Sequence, residues 1–223
     1  MKVAVYALIR DGGRRVAGRG VSGERLRIVR MGTVAAVVGD VARPPSPSER
    51  SLRAYAALVA TLATRHQAIL PVRFGTVMDD GELQTVLRVR GKTIRSQLAH
   101  VRGRAQMTVR IVVRMPPPVG RSLSGSRGGP DKVRPTGTQY LTTRAREQSA
   151  SCIPGFAPLS RAVSRWVRDQ RIDRRGHIAT VYHLIPRAAA ARYASAIESA
   201  AAAEGARVLV SGPWPAHAFA DGW

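Results

Sequence analysis

Gly103-Arg104-Ala105-Gln106-Met107-Thr108-Val109-Arg110-Ile111-Val112-Val113-Arg114 sits where one residue pattern stops and another begins. Met107, Val109, Ile111 and Val113 alternate with Thr108, Arg110 and Arg114, the period-two signature of a strand with one buried face. Just upstream, Leu83, Leu87, Ile94, Leu98 and Val101 recur at helical spacing, with an interruption at Gly91. Gly103 suits the end of that helix, because glycine tolerates the left-handed backbone of a C-terminal cap. A helix closing one unit and a strand opening the next predict an α+β protein of two small domains, residues 1–103 and 104–223.

Further upstream, Val3–Ile9 is apolar on both faces (Val3, Val5 and Ile9 against Tyr6 and Leu8), as in a central strand. A Gly/Arg-rich loop over residues 12–23 leads to short strands at Leu26–Val29 and Val34–Val38. Ser46-Pro47-Ser48-Glu49 reads as a helix start, with Ser46 as N-cap, Pro47 at the first helical position and Glu49 reaching back. Leu52, Tyr55, Val59 and Leu62 form its expected buried stripe. Ile69–Val77 alternates, with Leu70, Val72 and Phe74 opposite Pro71, Arg73 and Gly75, and its proline places the strand at an edge or beginning. Asp79 and Glu82 repeat the capping pattern ahead of Leu83.

Downstream, 13 of the 23 residues in 115–137 are Pro, Gly or Ser, so a flexible insertion or binding loop is expected there. Helical patterns resume over Thr138–Ser149 and Leu159–Gln170. A two-sided strand covers His177–Ile185, and Pro186 opens an alanine-rich helix to Glu204 with Tyr193 and Ile197 on its apolar side. Arg207–Val210 is a last strand. This order suits a modified ferredoxin-like fold for the C-terminal domain.

The 223 residues carry 36 Lys+Arg against 14 Asp+Glu, a net charge of +22, and only three of those cations are Lys. Such a charge predicts weak non-specific attraction to polyanions. One cysteine, Cys152, excludes an internal disulfide framework and any multi-cysteine metal site. No stretch is apolar for long enough to span a bilayer, and the short opening run reads as a strand rather than a signal segment. A soluble, cytoplasmic protein is expected.

Catalytic candidates do not assemble. The five histidines lack the i, i+4 spacing of a helical ligand pair, and no Gly-Lys-Ser/Thr follows the glycines of residues 12–20. Asp79, Asp80 and Glu82 fit a helix N-terminus, where negative charge is favoured. No enzyme activity, cofactor or metal is therefore expected. Arg73, a charge between Val72 and Phe74, reads as a stem packed on the sheet with its guanidinium reaching solvent or a carboxylate, or as an interdomain or partner ion pair. Gly212-Pro213-Trp214-Pro215 is a stiff hook, read as a clamp that packs Trp214 and Phe219 on the core, with partner docking as the rarer alternative.

Leu70-Pro71-Val72-Arg73-Phe74-Gly75-Thr76 resembles the "LPVRFGT" signature of the gas vesicle GvpL/GvpF family. Gly212-Pro213-Trp214-Pro215, with Phe219, is similar to that family's terminal "GPWPPYxF", although Ala216 and His217 stand where the pattern has Pro-Tyr. Gly137–Arg144, with Tyr140 and Leu141, resembles its "GxxYLxxR" helix start. The resemblance implies two α+β domains, the second a modified ferredoxin fold. It also implies a non-enzymatic role in gas vesicle assembly, with the hydrophobic shell protein and other accessory gas vesicle proteins as partners and the vesicle as the place of action. The competing reading is a basic nucleic-acid-binding protein with a ferredoxin-like domain, favoured by the charge but not by an aromatic content of 5%.

Overall fold

Seven consecutive residues of β1 (Lys2–Arg10), Val3 to Ile9, are buried, because this strand runs through the middle of the first sheet with helices on both faces. The computed structural model describes residues 2–10, 12, 16–112, 153 and 155–222. The expectations for 115–137, Thr138–Ser149 (with Tyr140 and Leu141) and Cys152 lie outside the described residues.

The first sheet has the order β2 (Leu26–Met31), β3 (Val34–Asp40), β1, with β4 (Ile69–Pro71) and β5 (Val77–Asp79) sharing the far edge of β1. All its pairings are antiparallel. A register shift between Val5 and Ala7 changes the phase of the strand. Val3, Val5 and Leu8 therefore share one core cluster, while Ala4, Tyr6, Ala7 and Ile9 share another. Strict alternation had put Ile9 with Val3 and Val5; the extra residue of a bulge reverses every side chain beyond it.

One face is covered by α1 (Glu49–Arg65), which buries Tyr55, Val59 and Leu62. Leu52, expected in that stripe, is exposed. The N-cap is Ser48 rather than Ser46: Ser51 N–H donates to Ser48 Oγ (3.1 Å) and Ser48 N–H donates to Ser51 Oγ (2.9 Å). The other face takes α2 (Asp80–Val89) and α3 (Gly91–Val101), which break at Arg90 beside Gly91. Asp79 is the N-cap of α2 but makes no side-chain cap bond. Arg27 of β2 instead grips Asp40 (2.9 Å) and Asp80 (2.6 Å), tying the start of α2 to the sheet.

The second sheet has the order β7 (Asp169–Arg175), β8 (Ile178–Pro186), β6 (Arg104–Val112), β9 (Val208–Trp214), again all antiparallel. α4 (Phe156–Val163) and α5 (Ala190–Ala203) cover one face, burying Phe156, Leu159, Tyr193 and Ile197 against Met107, Val109 and Val181. α4 is shorter than the helix expected to reach Gln170, whose place belongs to β7. β7 is an edge strand of charged residues with one Ile, so no apolar alternation announces it.

The two sheets are not packed independently. Leu184 of β8, Ala216 and Phe219 belong to the same buried cluster as Val3, Leu70, Leu83 and Leu98.

Candidate functional site

The stretch 69–77 is not one strand. It splits into β4 and β5, and residues 73–75 between them turn away from β1, while Val72 N–H donates to Tyr6 O and Val5 N–H donates to Thr76 O, each at 3.0 Å. Thr76 N–H donates to Arg73 O (3.2 Å), and Thr76 Oγ1 donates to the same oxygen at 2.8 Å. Gly75 takes φ +81°, a left-handed value that a side chain would strain. Arg73 therefore sits at the tip of an exposed turn, not within an apolar strand, and makes no ion pair among the described residues. Pro71 and Val72 are buried beneath it.

Tyr55 of α1 joins this turn to the C-terminal segment. Its hydroxyl donates to Val72 O, and its ring meets Phe74 edge-on at 5.7 Å between centroids. The His217 ring lies 6.4 Å from the same tyrosine. Two motifs some 140 residues apart thus converge on one side chain. Burial pushes the Tyr55 hydroxyl up to about 12, so it remains a donor at any ordinary pH.

The C-terminal segment is fastened at several points. Gln106 Oε1 accepts from Ala218 N–H (2.8 Å), and Arg90 Nη1 donates to Gly222 O (3.0 Å). Arg171 forks onto both carboxylate oxygens of Asp221 while its guanidinium lies 5.3 Å from the Phe219 ring centre. The anchors of the hook are Pro215, Ala216 and Phe219, all buried.

Trp214 is not one of them. It is 49% exposed, against 3% for Phe219, and only its indole N–H finds a partner, Ser211 Oγ at 3.3 Å. Gly212, Pro213 and Trp214 are the end of β9 rather than a segment beyond the sheet, and Gly212–Pro213 is cis. Trp214 pairs with Gln106, so its side chain stands on the face of the second sheet opposite α4 and α5.

That face has two ends. At one, Gln106, Tyr182 and Leu184 are covered by the hook and the first sheet. At the other, Val112 and Ile178 face each other across β6 and β8, and Leu209 lies beside Arg110. Val112, Ile178, Leu209 and Trp214 are four of the six large exposed apolar side chains among the described residues. The sequence had marked Trp214 but not the other three, because only strand register shows that they share a face.

The titratable groups in the second core serve packing. His183 is fully buried, with Nδ1 against Tyr193 Oη (2.6 Å) and Nε2 against Gln170 Oε1 (2.7 Å). Because the amide oxygen can only accept, Nε2 carries the proton and the Tyr193 hydroxyl donates to Nδ1. Burial lowers this imidazole to about 4. The glycines near residue 20 also serve structure: Glu24 accepts from the Tyr6 hydroxyl and lies so close to Gly20 and Gly39 that neither has room for a side chain. Among the described residues no group of three or more His, Cys, Asp or Glu is placed to hold a metal ion. No described helix is long and apolar enough to cross a membrane.

The pattern of the family described as "Gas vesicle synthesis protein GvpL/GvpF" matches residues 3–221. The chain belongs to the GvpL/GvpF family. Its fold is similar to that of the crystal structure of the gas vesicle protein GvpF from Anabaena sp. PCC7120, with a TM-score of 0.71 and 11% identity over 99% of this chain and 98% of that one. GvpF from Microcystis aeruginosa is similar too, with a TM-score of 0.75 and 12% identity over 99% of both chains. No curated protein matches the sequence. Family membership supports a role in gas vesicle assembly.

Proposed function

We propose that this GvpL/GvpF protein acts in gas vesicle assembly as a non-enzymatic docking protein, in the cytoplasm and at the vesicle. Its partners on this reading are the hydrophobic shell protein and other accessory gas vesicle proteins. The second sheet supplies a ferredoxin-like unit, a reading supported by its strand order β7-β8-β6-β9 with α4 and α5 on one face. Residues 1–103 and 104–223 are the two domains of this reading, sharing a seam.

The observation that carries it is the exposed face of the second sheet, on which Val112, Ile178 and Leu209 stand open to solvent towards one end and Trp214, beside Gln106, towards the other. Large apolar side chains exposed on one sheet face favour a protein partner, and an apolar shell subunit is a chemical match. Arg73, at its exposed turn, is the second candidate contact, with Phe74 and Gly75 shaping that turn. Pro71, Pro215 and Phe219 hold the surface from beneath.

Capture of the shell protein by full-length Trp214→Ala/Leu209→Ser and by Arg73→Glu tests the assignment. Loss with the first variant alone places docking on the second sheet, and loss with the second alone moves it to the first domain. Undiminished capture by both would remove the docking reading. The charge of +22 adds weak, sequence-independent polyanion binding that collapses between about 50 and 200 mM salt. Tight, sequence-selective binding at physiological salt would instead favour a nucleic-acid function.

A further inference from the structure

Four arginines from four separate places in the chain line one cleft on the seam between the two sheets. Arg10 ends β1, Arg65 ends α1, Arg102 follows α3 and Arg187 follows β8. The cleft holds about 1140 Å³, and Arg10 and Arg102 also border an adjoining recess of about 210 Å³ with Arg95. No carboxylate lines either space among the described residues.

The convergence is built into the backbone. Gly103 N–H donates to Gln67 O (2.8 Å) and Arg187 N–H donates to Gly103 O (3.0 Å). These two bonds stitch together the turns that carry Arg65, Arg102 and Arg187. The guanidiniums themselves are loosely held: Arg65 Nη1 donates to Ala17 O at 3.4 Å and Arg102 Nε to Gln67 Oε1 at 3.5 Å. Some arginines elsewhere do find carboxylates, as Arg27 does with Asp40 and Asp80 and Arg171 with Asp221. Four like charges on one cleft, with no carboxylate among the described lining residues, favour a bound anion.

We propose that the cleft binds a small anion bearing several phosphate charges, as a free oligophosphate or as a phosphate ester. Arginine forks match phosphate oxygens, and one compact ligand with three or four negative charges balances four guanidiniums where a lone carboxylate does not. Among the described residues no Phe, Tyr or Trp lines the cleft and His66 supplies its single ring, so the four guanidiniums direct recognition at the phosphates. The volume is close to the upper end of small-molecule sites, about 1000 Å³, which leaves room for bridging water. A bound anion would pin three turns and both sheets together, and so raise the melting temperature.

Calorimetry and thermal melting of the full-length protein with sodium tripolyphosphate, in about 150 mM salt to screen loose surface attraction, test this. Expected are saturable one-to-one binding and a higher melting temperature. Arg102→Gln/Arg187→Gln should weaken binding at least tenfold, and Arg10→Gln/Arg187→Gln does the same should the first pair fold poorly. Arg88→Gln/Arg161→Gln, which removes equal charge elsewhere, should leave it unchanged. ATP beside tripolyphosphate separates a phosphate ester from a free oligophosphate. Absent binding, equal loss in the control pair, equally tight binding of citrate, or displacement of tripolyphosphate by short duplex DNA at lower concentration would each overturn the proposal.

Discussion

Arg171 in β7 holds Asp221, fifty residues later, through two parallel hydrogen bonds, and lays the same guanidinium near the ring of Phe219. One edge-strand arginine thereby fastens the end of the C-terminal segment over the seam. The ion pair keeps the Asp221 carboxyl below the usual aspartate range. Both side chains are partly solvated, at 38% and 58% exposure, so the pair is worth at most about 1 kcal/mol. Asp221→Asn should destabilise by about 0.5–1 kcal/mol in urea unfolding at neutral pH. That difference should shrink in high salt, and also at low pH, where the parent carboxyl takes up a proton. A double-mutant cycle with Arg171→Ala checks that the two side chains act together.

Phe219 and Trp214 are expected to behave oppositely. Phe219→Ala empties a buried site and should cost about 3–5 kcal/mol. Trp214→Ala removes a half-exposed ring and should cost about 1 kcal/mol or less, while weakening partner capture. Melting temperature and pull-down measured on both variants give the comparison. A Trp214→Ala protein as unstable as Phe219→Ala would show that the indole is a clamp after all.

His183 predicts a pH dependence with a definite sign. The folded imidazole is depressed to about 4, whereas the unfolded chain takes up a proton near 6.5. Its contribution is therefore fully present above pH 6.5 and is lost as pH falls through that window towards 4, by up to about 3 kcal/mol. Urea midpoints at several pH values should show this slope in the parent and a smaller one in His183→Gln. Identical slopes would assign the acid sensitivity to other groups.

Gly39 and Gly81 give a paired test of close approach. A Cβ on Gly39 would lie 2.4 Å from Glu24 Cγ, whereas one on Gly81, in the first turn of α2, meets nothing within 4 Å. Gly39→Ala should displace Glu24 from Tyr6 and lower the melting temperature. Gly81→Ala should raise stability by about 0.4–1 kcal/mol, because the unfolded chain loses freedom.

Much of this was legible in local pattern. A period-two run located β6, two-sided apolar runs located β1 and β8, helical stripes located α1, α3 and α5, and signature residues 70–76 and 212–219 pointed to the family later matched over residues 3–221. What escaped was set by partners far away in sequence. β7 carries almost no apolar alternation because it lies at an edge, and its charged residues are tolerated only because β8 supplies its hydrogen bonds. The 69–77 run alternates like a strand, yet Tyr55 draws in Val72 O and Phe74, and the chain breaks into two short strands around a turn.

The sequence by itself determined the α+β class, the positions of most elements and the family, because strand and helix periods are properties of neighbouring residues. The tertiary structure alone decided the phase reversal at Val5/Ala7, the exposure of Arg73, the choice of Phe219 over Trp214 as anchor, and the meeting of four arginines at Gly103. A side chain's burial depends on which distant elements arrive above it. Local period says that a residue faces one side; only packing says whether that side is covered.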